Sequence, residues 1–158
     1  MRIGVFGGSF DPPHEGHLAI AKAAKLQAHL DKVIFIPAAR NPLKETSPVT
    51  QDRIRLLKEL TKKEVSFEVS DREINKPPPS YTIDTILELK KEGSDLFLIM
   101  GADVASRFTE WKNYKEIISS VNKILVYPRD GIKFDLLEKM ELLKGPEIPI
   151  SSTKIRTK

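Results

Sequence analysis

Phe6-Gly7-Gly8-Ser9-Phe10-Asp11-Pro12-Pro13-His14-Glu15-Gly16-His17 decides how the chain is read. A short apolar run, Arg2 to Phe6, precedes it, and a helical pattern follows. The two glycines are expected to let the backbone turn out of a strand and come close to a ligand. A strand that feeds a helix N-terminus through such a turn offers backbone N–H groups and a positive dipole end to phosphate. His14 and His17 add groups able to take part in chemistry. No third glycine has the dinucleotide-fingerprint spacing. Helix capping and packing by the two histidines stands as the plain alternative. The only other histidine, His29, falls inside the first helical stretch, so a metal site built from protein side chains is not expected.

Outward from this turn, strands and helices alternate. Gly16 to about Leu30 reads as a helix, with Leu18, Ala21, Ala24 and Ala28 near one face. Val33 to Ile36 is apolar throughout, as in a parallel strand covered on both sides. A loop through Arg40 and Lys44 leads to Ser47-Pro48, a plausible helix start, and a helix to about Lys63 with Leu56, Leu57 and Leu60 inward. Val65 to Val69 is a third strand. Pro77-Pro78-Pro79 excludes helix interior and central strand, so 71–80 is a loop. A helix opens around Tyr81-Thr82 and closes at Gly93, with Ile83, Ile86, Leu87 and Lys90 on one face.

Leu96 to Met100 is the clearest buried strand, and Gly101-Ala102-Asp103 repeats the glycine turn before a helix. A helix near Tyr114 to Ser119, a strand at Lys123 to Tyr127, a helix over Phe134 to Leu143 and a short strand at Ile148 to Ile150 complete the pattern. The expected fold is an α/β, doubly wound, Rossmann-like parallel sheet of five to six strands with helices on both faces. Gly7-Gly8, Arg40 to Lys44, Gly101 to Asp103, Arg129 and Ser151 to Thr153 all follow strands. They would share the carboxyl edge of the sheet, where such folds bind ligands.

Composition bounds the rest. A chain of 158 residues suggests one domain spanning 1–158, and 40% hydrophobic with 30% charged residues suits a globular protein. No apolar run is long enough for a membrane span and no signal-peptide pattern opens the chain, so a cytoplasmic location is expected. Cysteine is absent, which removes disulfides and thiolate metal sites. The net charge of +4 suits anionic ligands, and no basic block with interleaved aromatics points to nucleic acid. Near the end, Ser151-Ser152-Thr153 offers hydroxyls at a helix start, and Arg156 lies one turn beyond Ser152. The plain reading is an ordinary cap with a solvated arginine. Trp111, the sole tryptophan, is a candidate to stack on a ligand ring or to sit in the core.

Gly7 to His17 resembles the H-x-G-H signature of the nucleotidyltransferase superfamily, and Ile150-Ser151-Ser152-Thr153-Lys154-Ile155-Arg156 resembles its second motif. Ser80 to Thr85, and Gly101-Ala102-Asp103 followed by Trp111-Lys112, are similar to the bacterial nicotinate-nucleotide adenylyltransferase family. The resemblance implies transfer of AMP from ATP to nicotinate mononucleotide in NAD biosynthesis, giving deamido-NAD and pyrophosphate, with Mg²⁺ accompanying ATP. It implies His14 and His17 as catalytic residues that also bind ATP. ATP-binding would further involve Gly7, Gly8, Ser9, Phe10, Gly101, Asp103, Ser151, Ser152, Thr153 and Arg156. Nicotinate mononucleotide would meet Ser9, Lys44, Tyr81, Thr82 and Trp111. Where the family often has P-P-H-K, this chain has Asn41-Pro42-Leu43-Lys44, and it ends two residues after Arg156, so the family's C-terminal helical tail is expected to be short or missing. Nicotinamide mononucleotide and phosphopantetheine are the alternative acceptors, and a non-catalytic nucleotide-binding protein is the alternative of another class. A homo-oligomer stays open.

Overall fold

The computed structural model describes residues 1–8, 10, 12–38, 50–73 and 82–146, with the side chains of 50 and 51 outside the description. The elements are β1 (Arg2–Gly8), α1 (Glu15–Ala28), β2 (Lys32–Pro37), α2 (Thr50–Thr61), β3 (Phe67–Val69), α3 (Thr82–Lys90), β4 (Asp95–Gly101), α4 (Ala102–Ala105), a 3-10 turn (Phe108–Glu110), α5 (Tyr114–Ser120), β5 (Lys123–Tyr127) and β6 (Met140–Leu142). Among the described residues, six strands run parallel in the order β3-β2-β1-β4-β5-β6. The order reverses between β1 and β4, which makes the cleft beyond their carboxyl ends the switch point.

Each strand sends alternate residues to opposite faces, so one sheet serves two cores. On one face Val5, Ile34, Leu98, Met100 and Val126 pack with Ile83 and Ile86 of α3 and Ile117 of α5. On the other Phe6, Phe35, Phe97, Ile99 and Leu125 pack with Ala21, Ala24 and Ala28 of α1 and Leu57 of α2. The small residues on α1 let it lie close to the sheet. Gly4 in β1 answers the same need, since a Cβ there would stand 2.7 Å from the side chains of Ile99 and Leu30.

Several local expectations change. The helix expected over Phe134 to Leu143 is absent; the chain is irregular until β6 pairs with β5. Lys139 adopts φ 68, a left-handed conformation that ends any helix. Its ammonium donates to the carbonyls of Ile118 (2.7 Å) and Val121 (2.9 Å), closing the C-terminal end of α5. Gln27 of α1 donates to Glu141 and to the Leu142 carbonyl, and accepts from the Lys144 N–H. These tertiary bonds outweigh a modest helical spacing. Tyr127 at the end of β5 donates its hydroxyl to the Pro146 carbonyl. Gly145 permits this, because a Cβ would collide with that hydroxyl.

The third strand starts at Phe67, leaving Val65 fully exposed. On α3 the inward set ends with Leu89, while Lys90 faces outward. Leu57 is buried on α2, and so are Arg53 and Thr61; Leu56 and Leu60 are only half-buried. The expected Ser47-Pro48 helix start and the strand at Ile148 to Ile150 lie outside the described residues. Among the described residues no helix is long and apolar enough to cross a membrane.

Candidate active site

Gly7 and Gly8 do not turn. They remain in β1, in register with Ile36 and Pro37 of β2. The left-handed turn falls instead at Phe10, with φ 47. That conformation is uncommon outside glycine, and it is held here by burial. The Phe10 ring is 2% exposed and meets Phe6 and His17 edge-on, with centroids 5.4 and 4.9 Å apart. Only its backbone is left to face a ligand. Beside Gly7 the space is open, the nearest atom to an added Cβ being the Ile36 carbonyl oxygen at 3.9 Å.

His14 is the N-cap of α1, in extended conformation. Its Nδ1 accepts the Gly16 N–H at 3.1 Å, and its own N–H donates to Nδ1 of His17 at 3.0 Å. This is a capping box built from two imidazoles rather than a hydroxyl and a carboxylate. The rings stack with centroids 3.8 Å apart. Because each Nδ1 accepts, each neutral ring carries its proton on Nε2. Burial pushes the His17 imidazole down to about 3, and the neighbouring His14 pushes the same way. Burial also lowers His14, as does the Arg129 guanidinium. Both rings are therefore neutral at physiological pH, with one N–H each to donate. They are poorly suited to act as bases or metal ligands, since their lone pairs are already engaged. Among the described residues no group of three or more His, Cys, Asp or Glu could hold a metal ion.

Gly101 ends β4 and occupies the N-cap of α4 without a side-chain cap. Asp103 follows inside the first turn, exposed, so it does not cap the helix itself. Its Oδ2 accepts from Arg129 Nη1 at 3.1 Å. Arg129 stands just beyond β5 and acts electrostatically on His14, so the ends of β1, β4 and β5 share one charged neighbourhood. The sequence placed Arg129 on this edge without a role; following a strand end was its only signal.

Thr82 is the first residue of α3 and half-buried. Trp111 is also half-buried, edge-on to Phe108 with centroids 5.2 Å apart, and packs against the core that holds Ile83. Thr82 and Trp111 thus belong to the α3 side of the sheet, and the histidines to the α1 side. Ser9, Lys44, Tyr81, Ser151, Ser152, Thr153 and Arg156 lie outside the described residues. The sequence also missed a buried polar pair, Glu73 and Thr85, because a side chain satisfied inside the fold leaves no local pattern.

This fold and this switch-point turn define a class of nucleotidyltransferase-like proteins, and the chain belongs to the cytidylyltransferase-like family, whose profile matches residues 5–158. Among curated relatives, the chain is 38% identical to a Halalkalibacterium halodurans protein named "Probable nicotinate-nucleotide adenylyltransferase", over 98% of this chain and 78% of that one. A Leptospira borgpetersenii protein of the same name is 39% identical over 97% of this chain and 82% of its own. In fold, the chain superposes on Plasmodium falciparum nicotinic acid mononucleotide adenylyltransferase complexed with NaAD, at a TM-score of 0.79 and 17% identity, covering 99% of this chain and 82% of that one.

Proposed function

We propose that the protein transfers AMP from ATP to nicotinate mononucleotide, forming deamido-NAD and pyrophosphate in NAD biosynthesis. The relatives' names support this acceptor, and the histidine pair supports the chemistry. A phosphate oxygen of the mononucleotide attacks the α-phosphorus of ATP, the bond to the β-phosphate oxygen breaks, and pyrophosphate leaves. The attacking oxygen is already anionic, so no general base is required. What the reaction needs is positioning and stabilisation of charge on the non-bridging oxygens. Two neutral imidazoles, each locked with its proton on Nε2, supply donors for that charge; this is the observation that carries the reading.

In this reading Gly7, Gly8, Ser9 and the Phe10 backbone lie along the phosphates. Gly101 and Asp103 take the adenosine ribose. Ser151, Ser152, Thr153 and Arg156 hold the β- and γ-phosphates. Lys44 reaches the mononucleotide phosphate, while Tyr81, Thr82 and Trp111 frame its ring. Mg²⁺ accompanying ATP would supply charge neutralisation on the phosphates, with no His, Cys, Asp or Glu cluster among the described residues to hold it. The chain acts as one domain, and its substrates suit the cytoplasm. The test is ATP radiolabelled at the α-phosphate. The label should appear in the dinucleotide, and label in any other product would sink the reading.

A further inference from the structure

Among the described residues, the turn that follows β3 is fastened to α3 through Glu73 and through Arg72. Glu73 is buried, 6% exposed, and its Oε2 accepts the Thr85 hydroxyl at 2.6 Å; Thr85 is itself 1% exposed. One residue earlier, Arg72 lies 3.9 Å from Glu88, which is one helical turn beyond Thr85. Arg72 is in turn steadied by the Ser70 hydroxyl, which accepts from its N–H and its Nε. A buried carboxyl group is costly unless it is well bonded, and an apolar pair would fill the space more cheaply. The placement suggests a demand on geometry rather than on stability alone.

Thr85 lies within the first turn of α3, three residues after Thr82. An ion pair between Arg129 and Asp103 belongs to the β4–β5 half of the site. We propose that Glu73, acting through Thr85, is a positioning residue for the acceptor mononucleotide: it sets where the first turn of α3 stands and thereby governs affinity for the acceptor, without touching it. This rests on the reading above that Thr82 faces the acceptor. ATP, assigned above to the β1 turn, to Gly101 and Asp103 and to the 151–156 motif, does not depend on the clasp.

The test uses the full chain with Thr85→Val, Thr85→Ser and Thr85→Ala, varying ATP and acceptor separately. Valine keeps the shape and loses the hydroxyl; serine keeps the hydroxyl. Thr85→Val should raise KM for the acceptor about tenfold, with kcat and KM for ATP within about twofold, and Thr85→Ser should restore it. Thr85→Ala serves if the valine variant does not fold. Equal loss toward both substrates, or no rescue by serine, overturns the inference. If the unmodified protein turns over a different acceptor, the substrate assignment fails, and the same KM split measured on that acceptor still decides the role of Glu73.

Discussion

The backbone N–H of His14 donates to Nδ1 of His17 at 3.0 Å, and this bond fixes the protonation pattern of the site. It removes the His17 lone pair from chemistry and leaves Nε2–H as the group on offer. His17→Ala should therefore lower kcat by a factor of about 10² or more while the dissociation constant for ATP changes by less than about fivefold. Rapid-quench turnover beside equilibrium ATP binding makes the comparison. Equal losses in both would assign His17 to ground-state binding.

Burial of His17 also ties stability to pH. The folded-state value is near 3, against an ordinary 6.5, so below the ordinary value the unfolded chain takes up a proton that the folded chain refuses. The stability is present in full above about pH 6.5 and falls as pH drops toward the folded value. The slope approaches about 1.4 kcal/mol per pH unit for this one site. Urea unfolding between pH 7 and 4.5 measures it, and His17→Asn should flatten the slope. An unchanged slope would mean that His17 titrates normally in the folded protein.

Arg129 joins two parts of the edge, donating to Asp103 at 3.1 Å and disfavouring the charged form of His14. Arg129→Ala should raise the His14 titration midpoint, read by proton NMR. The melting temperature should change little, because exposed ion pairs contribute about 1 kcal/mol or less. Asp103→Asn should raise KM for ATP more than KM for the mononucleotide, if the carboxylate holds the ribose.

Trp111 is the only tryptophan, so its fluorescence reports one place. Adding nicotinate mononucleotide should quench it, whereas ATP alone should leave it nearly unchanged. Trp111→Leu should raise KM for the mononucleotide and spare ATP. A response to ATP alone would move Trp111 out of the acceptor side.

The parallel sheet was legible because its strands are apolar on both faces, as in Val33 to Ile36 and Leu96 to Met100. Short-range spacing misled where long-range bonds decide. The segment from Phe134 had enough spaced apolar residues to read as a helix, yet Lys139 ties that region to the end of α5 and Gln27 ties it to α1. Glycine permits a turn at Gly7 and Gly8, but sheet register carries both onward and hydrophobic burial drives Phe10 into the left-handed conformation. His14 and His17 stood out from their place beside two glycines at the first strand-to-helix turn. Their shared proton pattern did not, because it depends on ring orientation. Glu73, Thr85 and Arg129 act through partners distant in sequence, which no local pattern displays.

The central claim is the transfer of AMP to nicotinate mononucleotide. Pyrophosphate release, followed with ATP and each of nicotinate mononucleotide, nicotinamide mononucleotide and phosphopantetheine in parallel, tests it most directly. Nicotinate mononucleotide should give the highest kcat/KM. ATP binding with no pyrophosphate release from any acceptor, or release with phosphopantetheine alone, would contradict the account.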